Sequence, residues 1–140
     1  MKKILFLLLL PITCFAQGEI SNFWKSGTRG ISAVINDKSD SYWISRDPIV
    51  GSRYGRSLNL NDDGTFNSGN FAWCDNDCFY HSSGTFKKID ETHIQLQINS
   101  SSQTILCPDG EKVNTEPRDL GIFEIKYHEN GYKLIKINSK

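Results

Sequence analysis

The stretch IFEIKYHENGYKLIKI, residues 122–137, alternates apolar and polar side chains on both sides of a single turn. Asn130 and Gly131 form a dipeptide that tight hairpin turns prefer, because both residues tolerate positive φ angles. Two antiparallel strands are therefore predicted at residues 122–127 and 132–137, although Leu134 and Ile135 interrupt the strict alternation of the second strand.

Two further hairpins are predicted upstream, with turns at residues 61–64 and 90–92. After the second turn, Ile94, Leu96 and Ile98 alternate with polar residues and share one face of a strand. The strands of these two hairpins cover residues 57–60, 65–66, 84–89 and 93–98.

The rest of the chain adds short strands at residues 41–45 and 103–107, while residues 100–102 are predicted to form a polar loop. Residues 19–34 fit either a strand or one short helix. About seven or eight short strands separated by turns are typical of barrels and sandwiches. Because closure of a sheet removes its exposed edges, we expect an all-β fold, a small antiparallel meander barrel, with a β-sandwich as the alternative.

The N-terminus has the pattern of a secretory signal peptide. Lys2 and Lys3 precede the apolar run 4–10, and Cys14 and Ala16 place small residues where signal peptidase requires them. Cleavage near Ala16 leaves residues 17–140 as a single domain outside the cytoplasm, either periplasmic or secreted. Lipidation of Cys14 is the weaker alternative, because Thr13 stands where bacterial lipoproteins carry Gly, Ala or Ser.

Length and charge exclude several classes of protein. The chain has 140 residues, enough for one domain with a modest core, and carries 16 Lys and Arg against 16 Asp and Glu. A balanced charge argues against a general nucleic-acid binder or a polybasic membrane-binding surface. The apolar run 4–10 is too short to span a bilayer, and the rest of the sequence predicts no membrane span.

A family resemblance rests on three segments: LNLNDDGTF at residues 58–66, GTFKKI at 84–89 and IQL at 94–96. This pattern resembles small secreted bacterial domains of the lipocalin-like, calycin-type family over about residues 57–98. The resemblance implies a barrel with an internal ligand cavity, and it supplies no catalytic residue. The chain departs from lipocalins near its start, because Asn22 and Phe23 precede Trp24 where a Gly-x-Trp is expected.

Three cysteines remain after cleavage: Cys74, Cys78 and Cys107. In an oxidising compartment they predict one structural disulfide, with a slight preference for Cys74–Cys78 and a buried free thiol at Cys107. Pairing of Cys107 with either of the other two stays open and closes a longer loop. The competing interpretation is a zinc site in which His81 completes a Cys₃His set, but the C-x₃-C-x₂-H spacing is uncommon for zinc.

Other site chemistry is sparse. The sequence contains no nucleophile motif, zinc-protease motif or phosphate-binding glycine loop, so neither a catalytic residue nor a cofactor or metal is predicted. The spacing of Asn59, Asn61 and Asp63 invites a calcium-loop interpretation, which ordinary turn chemistry also explains. Three arginines near one another, Arg46, Arg53 and Arg56, are candidates for contact with an anionic group.

Aromatic residues carry the prediction of a binding site, because Trp and Tyr favour half-wet surfaces and pocket mouths. The candidate ligand-binding residues are Trp43, Tyr54, Trp73 and Tyr80. The leading hypothesis is a secreted, non-enzymatic barrel that binds a small apolar or amphipathic ligand. The alternatives are a secreted or envelope interaction protein, such as an inhibitor, that uses the loop 72–82 on a filled barrel, and a small hydrolase or metal protein.

Overall fold

The computed structural model describes residues 20–49, 51–73 and 76–138. The predicted signal peptide and its cleavage site, Cys14 and Cys74 lie outside the described residues. The described chain forms a one-turn 3₁₀ helix, Asn22–Trp24, and nine β-strands. The strands are β1 (Gly27–Ile31), β2 (Ser41–Pro48), β3 (Tyr54–Leu60), β4 (Thr65–Ala72), β5 (Tyr80–Asp90), β6 (His93–Gln103), β7 (Lys112–Asn114), β8 (Arg118–His128) and β9 (Gly131–Lys136).

Eight of these strands close into an antiparallel barrel. Around the barrel the order is β1-β2-β9-β8-β6-β5-β4-β3, and β3 pairs with β1 to complete the circle. The short strand β7 adds to the last three residues of β6, beyond the point where β6 pairs with β8. The prediction of an all-β antiparallel barrel is confirmed, and the chain adopts the barrel rather than the alternative sandwich.

The strand order departs from a continuous meander at one place. β1 lies between β2 and β3, so residues 49–53 must carry the chain past β1. The passage runs close to Gly30, where a Cβ atom would lie 3.8 Å from the Ile49 side chain. The Gly30 N–H donates a hydrogen bond to the Ser45 hydroxyl at 2.9 Å, which ties β1 to β2 at the same level. A Cβ atom at Gly30 would lie only 3.0 Å from the Ser45 hydroxyl oxygen, so the lack of a side chain leaves room for this hydrogen bond.

All three predicted hairpins form, as β3–β4, β5–β6 and β8–β9. In the first turn Asp63 accepts hydrogen bonds from the Thr65 amide at 2.9 Å and from the Thr65 hydroxyl at 2.6 Å. Asn61 donates to the same hydroxyl oxygen at 2.9 Å, so this segment satisfies itself as a turn. Gly64 has a φ of +82°, which the reversal of the chain requires.

Two local predictions are wrong. Residues 100–102, expected to be a loop, continue β6, because they pair with β5 on one side and reach β7 on the other. Residues 104–107, expected to be a strand, form a turn in which the Cys107 amide donates to the Thr104 carbonyl oxygen at 3.0 Å. In both cases the composition of the segment gave the wrong prediction, because pairing with β5 and β7 decides where β6 ends. Of the segment 19–34, the described residues 20–34 contain the short helix followed by β1.

Apolar side chains fill the end of the barrel that lies next to the 3₁₀ helix. Phe23 of that helix is buried against Tyr132, with ring centroids 5.3 Å apart. Trp24 donates its indole N–H to the Glu91 carbonyl oxygen at 3.0 Å, and Arg29 donates to the Phe23 carbonyl oxygen at 2.8 Å. The helix therefore closes this end of the barrel with a hydrophobic plug. The buried core consists of Phe23, Ile31, Ile35, Tyr42, Ile44, Leu58, Leu60, Phe66, Ile94, Leu96, Ile98, Leu120, Phe123, Ile125, Tyr132 and Leu134.

The core leaves no room for a side chain at Gly84 of β5. A Cβ atom there would collide with the Gln97 carbonyl oxygen and lie 2.8 Å from the Phe66 ring. The register of β5 against β6 shifts at the same point, between Ser83 and Gly84. The glycine thus permits a bulge that bends β5 and β6, two neighbouring strands of 11 residues, around the core.

Burial of Ile94 can be tested against an isoleucine on the outer face. Ile94 is 0% exposed in the core, whereas Ile122 is 37% exposed on β8. Ile94→Ala is expected to lower the free energy of unfolding by about 2–5 kcal/mol, because it leaves a cavity. Ile122→Ala should cost less than about 1 kcal/mol. Urea unfolding followed by tryptophan fluorescence measures both, and equal losses would contradict the inward register of β6.

The Asp63 turn predicts a pH dependence of stability. Hydrogen bonds from the Thr65 hydroxyl and amide lower the pKa of Asp63 below its ordinary value of 3.8. The stability that Asp63 contributes is therefore present above about pH 4 and is lost as the pH falls through the lowered pKa. The difference in stability between the native chain and Asp63→Asn should be largest near neutral pH and shrink in acid. Asp62→Asn removes a charge from the same turn but keeps the acceptor of Thr65, and serves as the control.

Candidate functional site

The end of the barrel opposite the 3₁₀ helix carries a large cleft. It measures about 1150 Å³ and lies between the loop 32–40, the adjoining ends of β5 and β6, and the segment 109–118 that contains β7. We call it the mouth cleft. Ile35 and Ile98 lie under its floor at the top of the core but are each only 1% exposed, and the more exposed apolar residues of the lining are Val34 and Val113. The barrel is thus filled at one end and hollow at the other.

The loop 32–40 folds into the mouth and supplies part of that floor. The Ile35 amide donates to the Ser68 hydroxyl of β4 at 3.1 Å. Tyr42 holds the next residue, because its hydroxyl donates to the Asn36 carbonyl oxygen at 2.8 Å and accepts from the Asn36 amide at 3.1 Å. Burial raises the pKa of the Tyr42 phenol, and the hydrogen bond with the Asn36 backbone acts in the opposite direction to a smaller extent. Tyr42 therefore stays protonated and able to donate at neutral pH.

A row of serine side chains lies above the apolar core. Ser68, Ser82 and Ser101 occupy matching positions on β4, β5 and β6, since Ser68 pairs with Ser82 and Ser82 pairs with Ser101. We call these three residues the serine row. Ser68 and Ser82 are buried, and Ser101 lines the mouth cleft. Within the described part of the chain, the Ser82 hydroxyl oxygen has no hydrogen-bond partner.

Arg118, the first residue of β8, completes this polar layer. It stands opposite Ile98 of β6, which places it at the rim of the core. Its Nη2 donates to the Ser101 hydroxyl at 2.7 Å, and its Nη1 lies 3.5 Å from a carboxylate oxygen of Asp37. Its Nε is buried and finds no acceptor among the described residues. The polar layer therefore holds two donors, on Arg118 and Ser82, whose hydrogen bonds are not made.

The walls of the mouth cleft carry both signs of charge. The acidic residues are Asp37, Asp109, Glu111 and Glu116, and the basic ones are Lys38, Arg56, Lys112 and Arg118. Lys112 lies 3.3 Å from Asp109, and Arg56 donates to the Ser32 carbonyl oxygen at 3.1 Å. Such a lining does not favour a highly charged ligand of either sign.

The structure separates the four aromatic residues predicted to bind a ligand. Tyr80 lines the mouth cleft. Tyr54 and Trp73 are largely exposed at the ends of β3 and β4, outside the cleft. Trp43 lies on the outer face of β2, with its ring 5.2 Å from that of His128. Contact of these residues with a ligand stays a prediction.

The arginines considered for an anion site are not gathered in one place. Arg53 stacks over the Trp73 ring at 4.9 Å, and Arg46 lies 3.5 Å from the Tyr127 hydroxyl. Arg56 alone reaches the mouth cleft. Sequence reasoning missed Arg118 and the serine row, because residues 100–102 were interpreted as a loop and Arg118 belongs to no motif.

A second, smaller groove of about 390 Å³ lies across β3 to β6. Its lining is polar almost throughout and includes Asn59, Asn67, His81 and Ser102. It has no apolar floor comparable to that of the mouth cleft, so it offers less for the burial of a ligand.

The disulfide joins Cys78 to Cys107, 29 residues apart. The preferred pairing of Cys74 with Cys78 is therefore wrong, and Cys107 is buried as a bridged half-cystine rather than as a free thiol. The reason lies in the strand ends: the Thr104 amide donates to the Phe79 carbonyl oxygen at 3.0 Å, which brings the two segments side by side. The bridge also consumes two sulfurs of the alternative Cys₃His zinc set. In the described residues no three His, Cys, Asp or Glu side chains lie close enough to hold a metal.

Comparison with protein-family models, with curated proteins and with solved structures finds no match to this chain. The lipocalin-like resemblance thus stays a prediction, and the function must be argued from the site itself. Over residues 20–49, 51–73 and 76–138, no helix is long and apolar enough to cross a membrane.

The Cys78–Cys107 bridge predicts a loss of stability on its removal. The double variant Cys78→Ala, Cys107→Ala should unfold with a free energy lower by about 3–4 kcal/mol, on the loop-closure estimate for this separation. Urea unfolding of the oxidised protein gives the comparison, and Cys74→Ala is the control that should leave stability unchanged. Peptide mapping without reduction should yield a Cys78–Cys107 peptide; a linked Cys74 would overturn the pairing.

Proposed function

We propose that this protein is a non-enzymatic, lipocalin-like barrel that binds a small amphipathic ligand in the mouth cleft. The observation that carries the proposal is the division of the interior into a filled half and an open half. Small-molecule sites commonly measure about 300–1,000 Å³ and are concave and largely preformed. The mouth cleft, at about 1150 Å³, slightly exceeds that range and is open to solvent, so it has room for such a ligand.

The lining supports an amphipathic rather than a wholly apolar ligand. Val34 and Val113 offer apolar surface, while Ser101, Gln103 and Arg118 present hydrogen-bonding groups on the wall. An apolar part of the ligand would cover the apolar surface and gain from leaving water. Its polar part would lie against the wall, where buried donors need acceptors.

The proposal places the protein outside the cytoplasm. The N-terminal pattern around Lys2 and Ala16 supports export, and disulfides such as Cys78–Cys107 persist mainly in oxidising compartments. The bridge links two segments whose neighbours Tyr80 and Asp109 line the cleft.

A second function is favoured by one observation. Tyr54 and Trp73 are 79% and 81% exposed at the same end of the barrel, and Arg53 stacks on the Trp73 ring. Tyr, Trp and Arg are the residue types that dominate protein–protein hot spots. In this alternative the loop 72–82 docks onto a protein, and the cleft is incidental.

Titration with the uncharged fluorescent probe N-phenyl-1-naphthylamine tests the proposal. The probe should bind the native chain with one saturable site. Tyr80→Ala, at 44% exposure on the cleft, should weaken binding about fivefold, from the loss of apolar contact area. Trp43→Ala, at a similar 38% exposure on the outer face, is the matched control and should change nothing.

Two results would contradict the proposal. Absence of saturable binding would remove the cleft as a ligand site. Loss of binding in Trp73→Ala but not in Tyr80→Ala would shift the interaction to the exposed aromatic surface and support the second function.

A further inference from the structure

We infer that the inner wall of the mouth cleft is a carboxylate site, in which Arg118 binds the anionic head group of the ligand and Ser101 positions it. This inference rests on the proposed function, because it names the class of ligand that the same cleft takes. It goes beyond that function by committing to a small monocarboxylate with an apolar body.

The partial burial of Arg118 is the first reason to expect an anionic head group. Its side chain is 25% exposed, whereas Lys112 on the same cleft is 60% exposed. A cation held at the edge of an apolar core has lost much of its hydration, so it favours an ionised partner more strongly than a solvated cation does. The hydrogen bond from Nη2 to the Ser101 hydroxyl fixes the plane of the guanidinium.

Buried polar atoms without a hydrogen-bond partner are the second reason. The Nε of Arg118 and the hydroxyl of Ser82, which is only 4% exposed, are buried without a partner in the described chain. Ser82 pairs with Ser101, the residue that holds Arg118, so both orphan donors belong to one polar layer. Ser82 lines the smaller groove and not the mouth cleft, whereas Arg118 lines the cleft. Because buried donors are normally satisfied, the Nε of Arg118 points to an acceptor in the cleft that is not part of the protein.

The chemistry of the donors selects the acceptor. An arginine presents Nε and a terminal nitrogen as a planar fork that matches the two oxygens of a carboxylate. Ser101 accepts a hydrogen bond from Arg118, which leaves its own proton to donate toward the ligand. In the same cleft, Val34 and Val113 offer apolar surface for the body of the molecule. The polar layer therefore suits the carboxylate head group of the ligand, and the apolar part of the cleft suits its hydrocarbon chain.

The acidic residues of the rim limit the charge of the ligand. Asp37 lies 3.5 Å from Arg118, a long contact from a carboxylate that is about half exposed, so an incoming head group can replace it at little cost. Asp109, Glu111 and Glu116 add negative charge around the entrance. A monoanion tolerates this rim, whereas a dianion such as a phosphate monoester meets stronger repulsion.

Calorimetric titration of the full protein with sodium octanoate, 1-octanol and octyl phosphate tests the inference. Octanoate should bind at least about tenfold more tightly than octanol, the range expected for a charged hydrogen bond. In Arg118→Met the affinities for octanoate and octanol, both measured with that variant, should differ by no more than about twofold, and Arg118→Lys, which keeps the charge but loses the fork, should show an intermediate ratio. Lys112→Met removes a cation from the same cleft and is the matched control, expected to keep the full advantage.

A second variant guards against misfolding of the Arg118 substitutions. Ser101→Ala keeps the charge and removes only the positioning hydrogen bond, and it should lower the ratio of octanoate to octanol affinity about threefold. Thermal unfolding and near-UV circular dichroism establish that each variant retains the native barrel.

The outcomes separate the two proposals. If octanoate and octanol both fail to bind, the proposed function fails together with the inference. If both bind the native chain equally, the cleft is a ligand site but the head-group inference is wrong, and ordered water satisfies the orphan donors. If octyl phosphate binds as tightly as octanoate, the commitment to a carboxylate is overturned. If Lys112→Met loses as much octanoate binding as Arg118→Met does, general charge attraction explains the preference for octanoate, and the inference is wrong.

Discussion

The interior of an eight-stranded barrel is just wide enough for the side chains of its own strands, and this limit governs where anything else can bind. Near the sealed end, the large inward residues Phe23, Phe66 and Phe123 are completely buried and take all of the available width. A ligand therefore has no access to the end of the barrel that the 3₁₀ helix closes. Space opens only where the inward residues become small, at the level of the serine row.

The same change of side-chain size explains the shape of the mouth. Three consecutive strands present serine at one level, so the barrel there loses volume that isoleucine or phenylalanine would occupy. The loop 32–40 recovers part of it by inserting Ile35, which hydrogen-bonds to Ser68. Of the serine row, only Ser101 lines the mouth cleft that remains, and Arg118 stands beside it. Most of the polarity of the cleft comes from the charged and amide side chains of its walls.

The sequence revealed what depends on neighbours along the chain. The turn at Asn130 and the alternation of Ile94, Leu96 and Ile98 were enough to predict hairpins and hence an all-β barrel. It did not reveal what depends on partners far away in the chain. Residues 100–102 become strand because β5 and β7 flank them, and Cys107 meets Cys78 because two loops converge. Arg118 likewise reaches Ser101 because β8 pairs with β6, which no local pattern encodes.

The pairing of β2 with β9 has a consequence for how the chain reaches its native state. It sets Ser41 opposite Ile135, so the first half of the protein cannot complete its sheet until the last strand arrives. During synthesis, β2 keeps one row of amides and carbonyls unpaired until nearly the whole polypeptide has emerged. Pairing of β2 with β9 is slow because the two strands are far apart in the sequence, and the chain loses much conformational entropy before their contacts form. A nascent chain of this protein therefore stays open for most of its synthesis, a state compatible with threading through a narrow translocation pore.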